Sequence, residues 1–130
     1  MPLIKPISEN KAKGKVKKIF DEIKKTRKIS KIPNFWRTLA NDPKTLERTW
    51  KSLQQVMVAG SLNSLIKELI YVAVSMTNSC EYCIRSHTLA AKKKGMTDEM
   101  LKELIAVVAM ANETNRLVES YQVEVDKFLK

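Results

Sequence analysis

Only three glycines and four prolines interrupt this 130-residue chain, and between those breaks apolar residues recur at helical, not strand, spacing. The chain therefore reads as all-α, with helix over about two-thirds of it and about six to seven helices. The first is expected from Ser8 to Lys28, with Gly14 a weak point, ending before Lys31-Ile32-Pro33. A short helix over Asn34–Leu39 leads to Asp42-Pro43, where an N-cap followed by proline opens a helix carrying Leu46, Trp50, Leu53 and Met57 and closed by Gly60. The segment from Ser64 to Met76 is apolar on most sides and is expected to be a buried central helix. A cysteine-bearing helix follows, with Asn78 or Ser79 as N-cap, Glu81 completing a capping box and Gly95 as C-cap. Thr97-Asp98 then opens Met100 to Ala111, with Leu101, Leu104, Ile105 and Val108 inward, and a last helix runs from Glu113 to Leu129.

The chain has the size of a single domain and 44% apolar residues from which to build a core. Its net charge of +10 raises nucleic acid as a partner, but the charge is concentrated: residues 1–31 hold eleven Lys/Arg against Glu9, Asp21 and Glu22, or +8. Those lysines alternate with Val16, Ile19, Phe20 and Ile23 at helical spacing and include a single aromatic, so a solvated amphipathic helix fits better than a base-stacking surface. Nucleic acid is not expected as a partner. The N-terminus lacks an apolar h-region and the longest apolar run, Leu69 to Val74, is far too short to span a bilayer, which predicts a cytoplasmic protein without a membrane partner. Trp36, Trp50 and the six methionines are assigned to core or subunit packing.

Chemistry is concentrated in Asn78–His87, which holds both cysteines and the single histidine. Cys80, Cys83 and His87 fall at i, i+3 and i+7, one stripe of a helix, and Cys83 is one turn from His87, within reach for sharing a thiol proton. With Cys80 in the first helical turn, unpaired N–H groups and the helix dipole lower thiol pKa values. A disulfide between residues so close would close too small a loop to act as a staple, so the pair reads as redox or metal chemistry. Glu68 lies on the most apolar helix, where lost hydration should raise its pKa toward neutrality. The alternative places it on a solvent strip beside Lys67 in a surface ion pair.

The pattern Glu-x11-Cys-x2-Cys-x3-His, filled by Glu68, Cys80, Cys83 and His87, resembles the motif of the alkylhydroperoxidase D-like branch of the carboxymuconolactone decarboxylase superfamily. The likeness extends over roughly residues 34–112, consistent with single-domain size. It implies an all-helical bundle over 32–130 behind the basic 1–31 helix, assembled as a homo-trimer or homo-hexamer. It also implies thiol-dependent reduction of small or organic hydroperoxides without a metal or organic cofactor. By the same resemblance Cys83 is the peroxidatic thiolate, Cys80 the resolving thiol, and Glu68 and His87 relay protons. A dithiol reductant, thioredoxin-like or a lipoyl protein, then reopens the disulfide. Tyr82 stands where the alkylhydroperoxidase D motif has a histidine, and its phenol can donate a hydrogen bond but is a poor base.

Two other readings come from the residues themselves. Cys80, Cys83, His87 and Glu68 are all zinc-ligand types, but seven helical residues rise roughly 10 Å, which separates Cys80 from His87. The basic N-terminal helix could instead serve a non-catalytic interaction or redox-switch module.

Overall fold

The computed structural model describes residues 1–130 and contains six α-helices and no strand. They are α1 (Gly14–Arg27), α2 (Asn34–Leu39), α3 (Pro43–Met57), α4 (Ser64–Thr77), α5 (Glu81–Lys93) and α6 (Asp98–Ser120), with 3₁₀ turns at Glu9–Lys11 and Lys127–Leu129. The helices group into two compact units, Met1–Val56 and Met57–Lys130.

In the first unit, α1 buries Val16, Ile19, Phe20 and Ile23, the stripe expected from the alternation with lysine. Ile32, Trp36, Ala40, Leu46 and Trp50 complete that core. Trp36 and Trp50 meet edge to face at 5.4 Å, and the Arg27 guanidinium lies over both rings at 5.4 and 5.5 Å, a geometry that adds cation–π attraction to burial. The helix starts six residues later than expected. Lys13 is extended at the N-cap and Gly14 is left-handed at φ 52°, while Glu9, upstream, accepts the Ile32 N–H at 2.6 Å and pairs with Lys24. Leader residues are thus tied to the core by side-chain bonds instead of extending the helix. Asp42 caps α3 as read from sequence, accepting the Lys44 N–H and the Thr45 hydroxyl. That helix ends at Met57, three residues before Gly60.

The second unit is built on α4, against which α5 and α6 pack. Asn63 caps α4 through Ile66 N–H, and Thr97 caps α6 through Met100 N–H. The two helices expected beyond Thr97 are one 23-residue helix. Asn112, at the expected break, donates to the Val108 carbonyl and the Thr77 hydroxyl, so its amide is satisfied without interrupting the backbone. Val72, Ala91 and Met96 form the buried apolar centre. The expectation that α4 is enclosed on most sides does not hold: Ile66, Ile70 and Val74 are exposed, because α5 and α6 cover only the face carrying Glu68, Val72 and Ser75. On α6, Leu101, Leu104 and Val108 are half-buried and Ile105 is exposed. No helix is long and apolar enough to cross a membrane.

Candidate active site

The chain between α4 and α5 reverses within three residues. Asn78 caps α4 with its N–H on Val74, Ser79 is left-handed at φ 56°, and the Cys80 N–H bonds the Ser75 carbonyl at 3.0 Å. Cys80 is therefore itself the N-cap of α5, not a first-turn residue after Asn78 or Ser79. Its sulfur accepts the Cys83 N–H at 3.4 Å, doing the work usually done by a Ser or Asp oxygen. The expected capping box does not form, since Glu81 pairs with Arg85 at 2.9 Å.

Both cysteines are free and half-buried. The Cys83 thiol is pushed up to about 11, first by its hydrogen bond to Cys80, then by burial, then by the charge of Cys80. Two sulfurs this close titrate as a pair, and once one is negative the other holds its proton. A base is then needed to free Cys83.

Glu68 is buried, with its side chain only 7% exposed, so the solvent-strip placement is excluded. Its Oε2 lies 2.7 Å from His87 Nδ1 and its Oε1 accepts from Lys94 Nζ at 2.8 Å. Burial raises the carboxyl pKa, but the bonds from His87 and Lys94 outweigh burial and the net direction is downward. This reverses the expected rise toward neutrality, because a carboxylate with a partner on each oxygen is favoured over the acid. A carboxylate has no proton to give, so His87 Nδ1–H is the donor and Nε2 is left as the basic nitrogen. Glu68 thus engages the imidazole through Nδ1, and only Nε2 remains to take up a proton.

Tyr71 links the two halves. Its ring stacks on His87 with centroids 3.6 Å apart and planes 18° from parallel. Its phenol pKa is raised by burial and then by the charges of Cys83, Cys80 and Glu68, which places all three within its electrostatic surroundings. Tyr82, between the cysteines, is 44% exposed. No three Cys, His, Asp or Glu side chains converge as a metal-ligand set: His87 gives Nδ1 to Glu68 and Cys80 caps the helix.

Sequence reasoning brought forward Glu68, Cys80, Cys83 and His87 but missed Tyr71 and Lys94. Both were readable. Tyr71 is one turn after Glu68, and Lys94 is seven residues after His87 on the same stripe. Lys94 is fixed by the end of α5: Gly95 is left-handed at φ 106°, and the Met96 N–H bonds the Ala91 carbonyl at 2.9 Å with both of those side chains buried, the 6→1 bond of a Schellman ending.

Known proteins share this fold. The chain superposes on the crystal structure of the alkylhydroperoxidase AhpD core from Rhodospirillum rubrum with a TM-score of 0.94 and 44% identity, covering 100% of this chain and 98% of that one. It is 25% identical over 112 residues to an alkyl hydroperoxide reductase of Mycobacterium tuberculosis, matching 86% of this chain but 32% of the relative's length. It is also 35% identical over 66 residues to a protein of the cox locus of Paracoccus denitrificans, covering 50% of this chain and 60% of that protein. Residues 43–123, which contain every side chain of the site, match the family model, and the chain belongs to the carboxymuconolactone decarboxylase family.

Proposed function

We propose that this protein is a thiol-dependent peroxidase that reduces small or organic hydroperoxides through a Cys80–Cys83 dithiol/disulfide cycle. The observation that carries this is the juxtaposition of a free cysteine pair at the start of α5 with a carboxylate-bound imidazole on the next turns of that helix. Likeness to proteins named for alkyl hydroperoxide reduction supports it.

In the proposed cycle the Cys83 proton passes to His87 Nε2. The thiolate attacks one peroxide oxygen, the O–O bond breaks, and the departing alkoxide takes the proton back as an alcohol. Cys83 is left as a sulfenic acid. The Cys80 sulfur attacks that sulfur while its thiol proton passes to the departing hydroxide, so that water leaves and a disulfide results. An external dithiol, thioredoxin-like or lipoyl, then reduces the disulfide and is itself oxidised. The proton held on Cys83 gives His87 its task, and the Glu68 carboxylate sets its tautomer. Reduced cysteines suit a cytoplasmic setting. The uncovered faces of α4 and α6, with Ile66, Ile70, Val74 and Val107 exposed, suit a homo-trimer or homo-hexamer.

The test is peroxide consumption with an excess of dithiol. Cys83→Ser should abolish it, and Cys80→Ser should stop turnover while leaving a sulfenic acid that a dimedone probe labels. Undiminished consumption by Cys83→Ser would overturn the assignment.

A further inference from the structure

Glu68 has two oxygens, and only one of them serves His87. The other is held by Lys94 at 2.8 Å, a lysine whose position follows from the ending of α5 and has no counterpart in the Glu, Cys, Cys, His pattern. We infer that Lys94 is a positioning residue: its ammonium keeps Glu68 a carboxylate throughout turnover, so that Glu68 orients His87 and His87 alone takes up and returns the proton. The inference rests on the peroxidase reading only for what the proton is used for.

The geometry supports this division of labour. A buried carboxylate facing only an imidazole can take the proton itself, and the pair then acts as a two-site relay. A permanent cation on the second oxygen closes that route, because protonating Glu68 would leave Lys94 without its charge partner. It also balances the carboxylate, so a proton arriving on His87 is not trapped in an isolated ion pair. When that proton leaves Cys83 for His87 Nε2 and moves on to the alkoxide, Glu68 gains and loses none. The groups acting on Glu68 are His87 and Lys94 of the α5 segment. From its own helix comes Tyr71, which feels Glu68 and both cysteines. On α6, Asp98 is paired with Lys92 and Glu99 with Lys102. Lys94 keeps 34% of its side-chain exposure, so its loss leaves no enclosed charge of its own and the fold should tolerate Lys94→Met.

The experiment follows the Glu68 carboxyl by carbon-detected NMR titration of the full chain, with its signal assigned by its loss in Glu68→Gln. In parallel it measures the pH profile of cumene hydroperoxide consumption with dithiothreitol. In Lys94→Met, and in Lys94→Gln as a second uncharged variant, the Glu68 transition should move up by about one pH unit and the acid limb of activity should move with it. Lys94→Arg should restore both. A Glu68 transition that stays in place in folded Lys94→Met overturns the inference, as does an acid limb that fails to follow a shifted carboxyl. A chain that consumes no peroxide defeats the peroxidase reading, while the carboxyl titration still decides whether Lys94 holds Glu68 charged.

Discussion

Replacing Glu68 by glutamine keeps the volume of the side chain and removes its charge. The amide oxygen can still accept one bond, from His87 or from Lys94, but the other partner then faces an NH₂ group. Charge-assisted hydrogen bonds contribute about 1.5–3 kcal/mol each, and the two here measure 2.7 and 2.8 Å at a site where the carboxylate is 7% and the imidazole 15% exposed. Lys94 can turn its ammonium toward water, so the loss on its side is discounted. The expected cost is about 2 kcal/mol at neutral pH. Its pH dependence has a definite sign. The folded carboxyl titrates below the ordinary value of 4.5, so its contribution is fully present above that value and disappears as pH falls through the lower folded value. Urea unfolding of the wild type and Glu68→Gln should therefore give a constant difference from neutrality down to about 5, shrinking in more acid solution. Peroxide consumption should fall by about a hundredfold at neutral pH, since His87 loses the negative charge that stabilises its protonated form and holds its tautomer against the competing pull of Lys94. A stability difference as large in acid as at neutrality, or none at all at neutrality, would show that the carboxylate is not paired as described.

Two further perturbations probe the ends of α5. Cys80→Ser retains a good N-cap but removes the sulfur whose hydrogen bond and charge hold the Cys83 proton, so the Cys83 transition should drop from about 11 toward 9. The pH dependence of iodoacetamide alkylation reads this, and an unmoved midpoint would mean that burial alone raises it. Gly95→Ala introduces a Cβ into open space but at φ 106°, a backbone conformation that costs an L-residue about 1–2 kcal/mol. Thermal unfolding should show that loss, and an unchanged or higher melting temperature would indicate that the Schellman ending is not what holds Lys94.

Helix content was legible because capping signals and breaks agreed at most boundaries: Asp42-Pro43, Thr97 and the short helix Asn34–Leu39 lie where the sequence placed them. The errors share a cause. Ser8, Asn78 and Asn112 each carry a side chain or backbone group that local rules assign to a helix end, and in each place another partner decides the outcome. Glu9 is drawn to Ile32 and Lys24, the Ser75 carbonyl takes the Cys80 N–H, and Thr77 satisfies Asn112. Spacing identifies the four motif residues, whereas the protonation of Glu68 depends on partners that spacing does not show. Hydropathy reports that a carboxylate is buried but not that a lysine from the far end of the next helix reaches it.

That lysine could have been found by following the turn. Two adjacent helices joined by a three-residue reversal run antiparallel, so residues at similar distances before and after the turn face one another. Counting from Asn78, Ser75 meets Cys80 directly at the turn, Tyr71 seven before meets His87 nine after, and Glu68 ten before meets the same His87. The next turns of α5 carry the stripe to Lys94, whose four-carbon stem reaches back to the second oxygen of Glu68. The site is thus an ordered row along one helix pair: sulfurs at the reversal, the aromatic stack of Tyr71 on His87 next, the carboxylate behind it, and the ammonium last. Such a row sets the carboxylate and the ammonium at the end away from the sulfurs, with the imidazole between them. A two-residue insertion in the Asn78–Cys80 reversal would shift every facing pair by about half a turn of helix and separate Glu68 from His87 while leaving both helices intact. Loss of the His87–Glu68 bond with unchanged helical circular dichroism is the expected result, and retained peroxide turnover in that variant would contradict this ordering.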